Sequence, residues 1–274
     1  MVPELRPRGI GEILDCAVAL YRARFTKLVL IATVVVVPVQ ILSALVLLSA
    51  RPDRYTLGVT GTVTPQYDSG SVFVQLAALF VVTIVGVLST ALIVAICTRV
   101  VADAYIGRDA DARGAVRSVR PRVFALVGTS LLVLVSEAIG FAFCFVGALV
   151  PLTLFSIAVP VLILEGIGVS AAISRSVNLT KTHFMHVLGL VLTAQLLGGV
   201  LNVALAYGVS LVLRTSGSTV TVVIGQSIAG TIAGVLTTPF IATAIVVLYF
   251  DLRIRDEAFD VQLLIQRRDA RVAA

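Results

Sequence analysis

Near the middle of an apolar run, LLVLVSEAIGFAF, stands one carboxyl group, Glu137. A charged side chain at the centre of a bilayer costs about 2.5–3.5 kcal/mol on insertion scales, so such a group is neutral, paired or turned toward a polar cavity. Two kinds of chemistry suit it. It can carry a proton or grip a polar substrate, or it can hold helices together through a hydrogen bond to an amide. Gln40, Gln195, Asn202 and Gln226 place amides in three other apolar runs, where they could line a shared polar site with Glu137. The bonding role is the stronger expectation, because transporters usually bury more than one charge.

No other reactive constellation is present. There is no Gly-rich phosphate loop, no HExxH and no Gly-x-Ser-x-Gly elbow. His183 and His186 share helical spacing but lack a third ligand nearby in sequence, so head-group contact or solvation is expected of them. Cys16, Cys97 and Cys144 form no CxxC pair and read as small packing residues. Neither catalysis, a metal nor a cofactor is expected.

The elements that must position Glu137 follow from composition. The chain of 274 residues is 58% hydrophobic and 13% charged, with a mean hydropathy of +1.06. A water-soluble fold of this length would leave large apolar patches exposed, whereas a bilayer absorbs them. The net charge of +6 does not indicate nucleic acid, because the basic residues cluster between apolar runs. The pattern predicts an all-α, polytopic membrane protein in a single domain. Six spans are expected at about 28–50, 72–97, 123–146, 149–164, 187–213 and 220–250, each about long enough to cross 30 Å or shorter where kinked. The first reads as a signal anchor rather than a cleaved leader. Gly147 and Pro151 predict a tight turn between the third and fourth spans, and Pro38, Pro160 and Pro239 predict kinks. Gly230-x-x-x-Gly234, with Gly198 and Gly199, predicts close packing of the last two spans.

Short amphipathic stretches at 8–25, 110–122 and 167–186 precede the first, third and fifth spans, so the chain reads as three hairpins, each launched by an interfacial elbow. Residues 51–71 read as a polar loop, and 251–274 as a charged tail whose first part could be helical. On this layout 18 of the 21 Lys and Arg fall on one side, against Arg51, Arg54 and Arg214 on the other. The bias puts both termini in the cytoplasm and the protein in the plasma membrane. Arg113, Arg117, Arg120, Arg175 and Lys181 on the elbows are the candidate contacts for lipid head groups.

The elbows also form a short internal repeat: AVALYR from Ala17, AVRSVR from Ala115 and AISRSV from Ala172. An acidic residue, Asp103, Glu165 or Asp251, follows the outgoing span in each unit. Together RGIGEILDCAVALYRARFTKLV, VPVLILEGIGVSAAISRSVNLTK and YFDLRIRDEAFDVQLL resemble the membrane domain of glycerophosphoryl diester phosphodiesterases and related six-span bacterial proteins. That resemblance spans nearly the whole chain and implies a fold, not an activity. The family's catalytic barrel carries a His-Arg-Gly start and a Glu-x-Asp metal pair, and these 274 residues hold neither. The expected function is therefore that of a non-enzymatic anchor or scaffold engaging membrane lipids and protein partners. The alternative is a small transporter or lipid-handling protein working through Glu137, and a membrane enzyme acting on head groups comes third.

Overall fold

The computed structural model describes residues 9–49, 55–57, 63–65, 69–105, 112–143, 145–213 and 219–257. Within them helices follow one another as α1 (Ile10–Ala23), α2 (Phe25–Ser49), α3 (Ser69–Tyr105), α4 (Ala112–Val119), α5 (Val123–Phe143), α6 (Phe145–Leu154), α7 (Ala158–Glu165), α8 (Val169–Lys181), α9 (Phe184–Leu213) and α10 (Thr219–Glu257). A single 3-10 turn, Arg120–Arg122, joins α4 to α5. Part of the expected polar loop is instead a small antiparallel ribbon pairing Tyr55–Leu57 with Val63–Pro65. Arg51, Arg54, Cys144, Arg214 and residues 258–274 lie outside the described residues.

Six helical segments are long and apolar enough to cross a membrane: Phe25–Val46, Val72–Ala104, Arg113–Phe143, Val146–Glu165, Phe184–Val209 and Ser227–Glu257. Their outer faces are apolar. Phe124 is 92% exposed and Phe143 86%, a surface that suits lipid and not water. Inside, buried hydroxyls return to their own helices. Thr98, Thr129, Ser130, Thr153 and Thr243 each donate to the carbonyl four residues earlier, at 2.6–2.9 Å. Polar side chains are thereby satisfied without water.

Helix α10 is the hub, packing against α1, α2, α3, α7, α8 and α9. Its residues Val246 to Leu252 are all buried, so this segment shows no lipid-facing side. At 39 residues it would run roughly 58 Å at 1.5 Å per residue, well beyond a hydrocarbon core of about 30 Å. The first part of the tail expected from residue 251 is helical, since α10 continues to Glu257. Asp251 likewise lies inside the helix rather than after it.

The fourth span departs most from expectation. It starts at Phe145, ahead of 149 as its shortness allows, and is interrupted at 155–157 before resuming as α7. Pro160 explains the break, because it has no N–H to offer the carbonyl of Ser156. The turn closes with the Ala158 amide on the Phe155 carbonyl at 3.0 Å, which takes the usual helical donor away from Leu154. Two buried hydroxyls of α8 replace it: Ser176 Oγ donates to the Leu154 carbonyl at 2.6 Å and Thr180 Oγ1 at 3.2 Å. Backbone left open at membrane depth survives only when neighbours bond it in this way.

The expected elbow repeat begins at three alanines. Its first residues, Ala17, Ala115 and Ala172, are all buried, on α1, α4 and α8 respectively. The Gly230-x-x-x-Gly234 step, however, does not serve the last pair of spans. A Cβ at Gly230 would meet Gln40 and one at Gly234 would meet Val36, so the step faces α2, while Gly198 alone meets α10 at Thr237 and Ile241.

Gly147 is likewise not in a turn. It lies inside α6, against Gly140 of α5, and a Cβ on either residue would come within 2.8 Å of the other's carbonyl oxygen. This backbone contact brings α5 against α6. Substituting Gly147→Ala is expected to destabilise the protein by about 1–3 kcal/mol through overpacking. Gly199→Ala, where a Cβ meets nothing within 4 Å, should be neutral or slightly stabilising. Loss of helical circular dichroism on titration with a denaturing detergent compares the two.

Candidate functional site

Glu137 lies on α5 and opens into a cavity of about 540 Å³ between α3, α5, α6, α7, α9 and α10. Thr83, Thr90, Ser130, Ser156 and Gln195 supply its other polar side chains. Three of the five are occupied: Thr83, Ser130 and Ser156 already donate to nearby carbonyls of their own segments. Glu137 and Gln195 form no hydrogen bond with any described residue. The remaining walls are apolar, among them Leu134, Leu152, Phe155 and Val159. A carboxyl and an amide thus share one chamber with their bonding capacity unspent.

The other expected members of this site lie elsewhere. Gln40 lines a separate cleft of about 450 Å³ between α2 and α10, with Ser227 and Thr231. Asn202 is exposed on α9 and lines neither space. The side chain of Gln226 is outside the described residues. Amides that are alike in sequence therefore divide among different helix faces, because only one angular sector of each span meets the cavity.

A second polar assembly, unforeseen in the sequence, closes one end of the bundle. Arg175 of α8 contacts Glu165 at the end of α7 at 3.3 Å and pairs with Glu257 of α10. Glu257 accepts a hydrogen bond from Arg253 Nε at 2.9 Å. Arg253 donates to the hydroxyl of Tyr249 at 3.3 Å and lies over its ring. The fully buried Tyr249 donates in turn to Glu165 at 3.0 Å. The circuit of five side chains is closed, and its two carboxylates balance its two guanidinium groups. Burial works against the charge on Arg175, but bonds and attraction to Glu257 and Glu165 outweigh it and hold the guanidinium above its ordinary pKa.

Further polar contacts flank the circuit. His183 lies 3.2 Å from Asp256. Arg255 contacts the buried Asp251 at 2.7 Å, and His186 lies 3.7 Å from the same carboxylate. The histidines expected at head groups thus face carboxylates of α10. A signal was present in the chain: Tyr249, Arg253 and Glu257 recur every four residues and so share a helix face. A boundary at 250 hides it, because it leaves Tyr249 in the span and puts Arg253 and Glu257 in the tail.

Below the circuit, Arg122 Nη1 donates to the Ile163 carbonyl at 2.6 Å, meeting the open end of α7. Gly166 then ends that helix with φ of 71°, and a Cβ there would lie 2.5 Å from Arg122 Nη2. Only glycine meets both conditions easily.

The candidate head-group residues have different surroundings. Arg175 is committed to Glu165 and Glu257, and Lys181 is exposed with its Nζ donating to Asn178 at 2.9 Å. Arg113, Arg117 and Arg120 are exposed, the first and last beside an apolar groove. Among the described residues no group of three or more His, Cys, Asp and Glu is placed to hold a metal ion. No protein-family model, curated protein or solved structure matches the chain.

The circuit predicts a contrast between two basic residues of α8. Arg175→Met should cost about 1.5–3 kcal/mol, as expected when charged hydrogen bonds are lost and their carboxylates stay behind. Lys181→Met should change stability by less than about 0.5 kcal/mol, as for ordinary surface substitutions. Thermal unfolding of the detergent-solubilised protein measures both.

Proposed function

We propose that this is a non-enzymatic six-span protein of the plasma membrane, with both termini cytoplasmic, that takes up a membrane-borne ligand at Glu137. One observation carries the reading: the Glu137 carboxyl opens into the cavity without a hydrogen bond to any described residue. A helix-bonding role needs a partner, and none of the amides fills it. A carboxyl left unsatisfied at membrane depth is costly, and a ligand, a proton or water supplied at the site relieves that cost. The chamber is within the size range of small-molecule sites, about 300–1,000 Å³. Its mostly apolar wall with one carboxyl and one amide suits an amphiphile that offers a hydrogen-bond donor, such as a lipid-soluble amine or alcohol.

The elbow reading belongs here as well. The short helices α1, α4 and α8 are taken to lie at the cytoplasmic interface, each launching a hairpin, in keeping with the basic bias of that side. The resemblance to phosphodiesterase membrane domains supports this layout and adds no catalytic step.

The scaffold reading is favoured by a different observation. The closed circuit ties the end of α10 to α7 and α8, and this charged end of the bundle would meet a cytoplasmic partner.

A lipid-soluble carbodiimide separates the two readings, since it reacts with protonated carboxyl groups reached from the bilayer. In proteoliposomes it should modify Glu137, identified by peptide mass spectrometry, and leave the ion-paired Glu165 and Glu257 untouched. The Glu137→Gln variant should retain its thermal stability. An unmodified Glu137 would sink the ligand site and leave the scaffold reading.

A further inference from the structure

Another cavity, of about 550 Å³, runs between α2, α3 and α4 and reaches the start of α5. Its walls are apolar, with Leu30 and Val34 of α2, Leu92 of α3 and Val116 of α4 among them. Among the described residues the only charged side chains lining it are Arg113 and Arg120, both supplied from the α4 end. Leu30 and Val34 are 62% and 67% exposed, so the groove is open along its side. Its floor is firm, because Ile31, Ile96 and Val119 are buried in the main core.

We propose that this groove is a binding site for one anionic phospholipid, whose phosphate sits at Arg113 and Arg120 and whose acyl chain lies along α2 and α3. The proposal rests on the membrane embedding alone and is independent of the Glu137 ligand. Charge and polarity select the occupant. Guanidinium groups match phosphate oxygens in bidentate geometry, and Arg120 makes no hydrogen bond or ion pair with any described residue. An apolar wall leading away from a basic end fits a molecule with an anionic head and a hydrocarbon tail. A free phosphate would leave the walls unfilled, and a zwitterionic lipid would gain less from two positive charges. Arg117 sharpens the assignment: it is exposed on the same helix but does not line the groove.

The full chain is reconstituted in phosphatidylcholine nanodiscs containing a minor share of phosphatidylglycerol with a photoactivatable acyl chain. Cross-links should concentrate on peptides of α2 and α4. They should fall about fivefold for each arginine lost in Arg113→Gln and Arg120→Gln, the effect of a basic residue at an anionic interface. Arg117→Gln, which makes the same charge change outside the groove, should leave them unchanged. Val34→Trp, which fills the groove and keeps both arginines, should also reduce them. Photoactivatable phosphatidylcholine should label all spans without focus, which verifies embedding separately from the site.

Equal focusing of phosphatidylcholine on α2 and α4 would overturn the anionic preference. A loss in Arg117→Gln matching that in Arg120→Gln would show diffuse attraction rather than a site. Undiminished labelling in Val34→Trp would remove the acyl groove. Displacement by soluble glycerol phosphate would mean a head-group site alone, and a cross-link between two copies in place of lipid would assign the groove to self-association.

Discussion

Five side chains, Glu165, Arg175, Glu257, Arg253 and Tyr249, hold three separate stretches of chain in one closed circuit. Each member answers a difficulty posed by another. Tyr249 is fully buried and needs an acceptor, which Glu165 provides; the carboxylates need cations, which the arginines provide. Such networks are worth most when every member is satisfied and become a liability when one is missing. The circuit also sets the geometry around it. With α7 and α8 joined to α10 at one end, α8 presents Ser176 and Thr180 to the broken fourth span, and the helices around the Glu137 cavity keep their spacing.

The interrupted span shows how local chemistry and tertiary packing divide the work. Pro160 forces the break, but nothing in α6 or α7 repairs it. The repair comes from α8, a segment too polar to span a membrane and with hydroxyls on the face it buries. That face explains why α8 carries Ser and Thr at its buried positions, where a larger aliphatic residue would gain hydrophobic contact and leave the Leu154 carbonyl open.

Much of this architecture is legible in the sequence, since lipid demands long apolar runs and tolerates few charges. Glu137 stands out on that ground alone, and the six apolar segments fall close to where composition puts them. The partners of Glu137 do not. Whether Gln195, Gln40 or Asn202 meets the cavity depends on the rotation of each span about its axis, and spans apolar on every side carry no periodic signal of that rotation. The same lack hid the partner of Gly230 and Gly234, which turned out to be α2. The circuit is not legible for a different reason. Charges after an apolar run read as the end of a helix, whereas α10 carries its charges inward against α7 and α8.

The contacts of α8 also imply an order of assembly during synthesis. The bonds from Ser176 and Thr180 to Leu154 span only 22 and 26 residues, so the break in the fourth span is sealed soon after α8 leaves the ribosome. The bonds from α10 to Glu165 and Arg175 span 84 and 82 residues. Until α10 is inserted, Glu165 and Arg175 have only each other, and the hub around which the other helices pack is absent. Translation of the last helix is therefore the step that converts a set of inserted spans into a bundle, and a chain stopped before it would present surveillance proteases with an open, charge-bearing core.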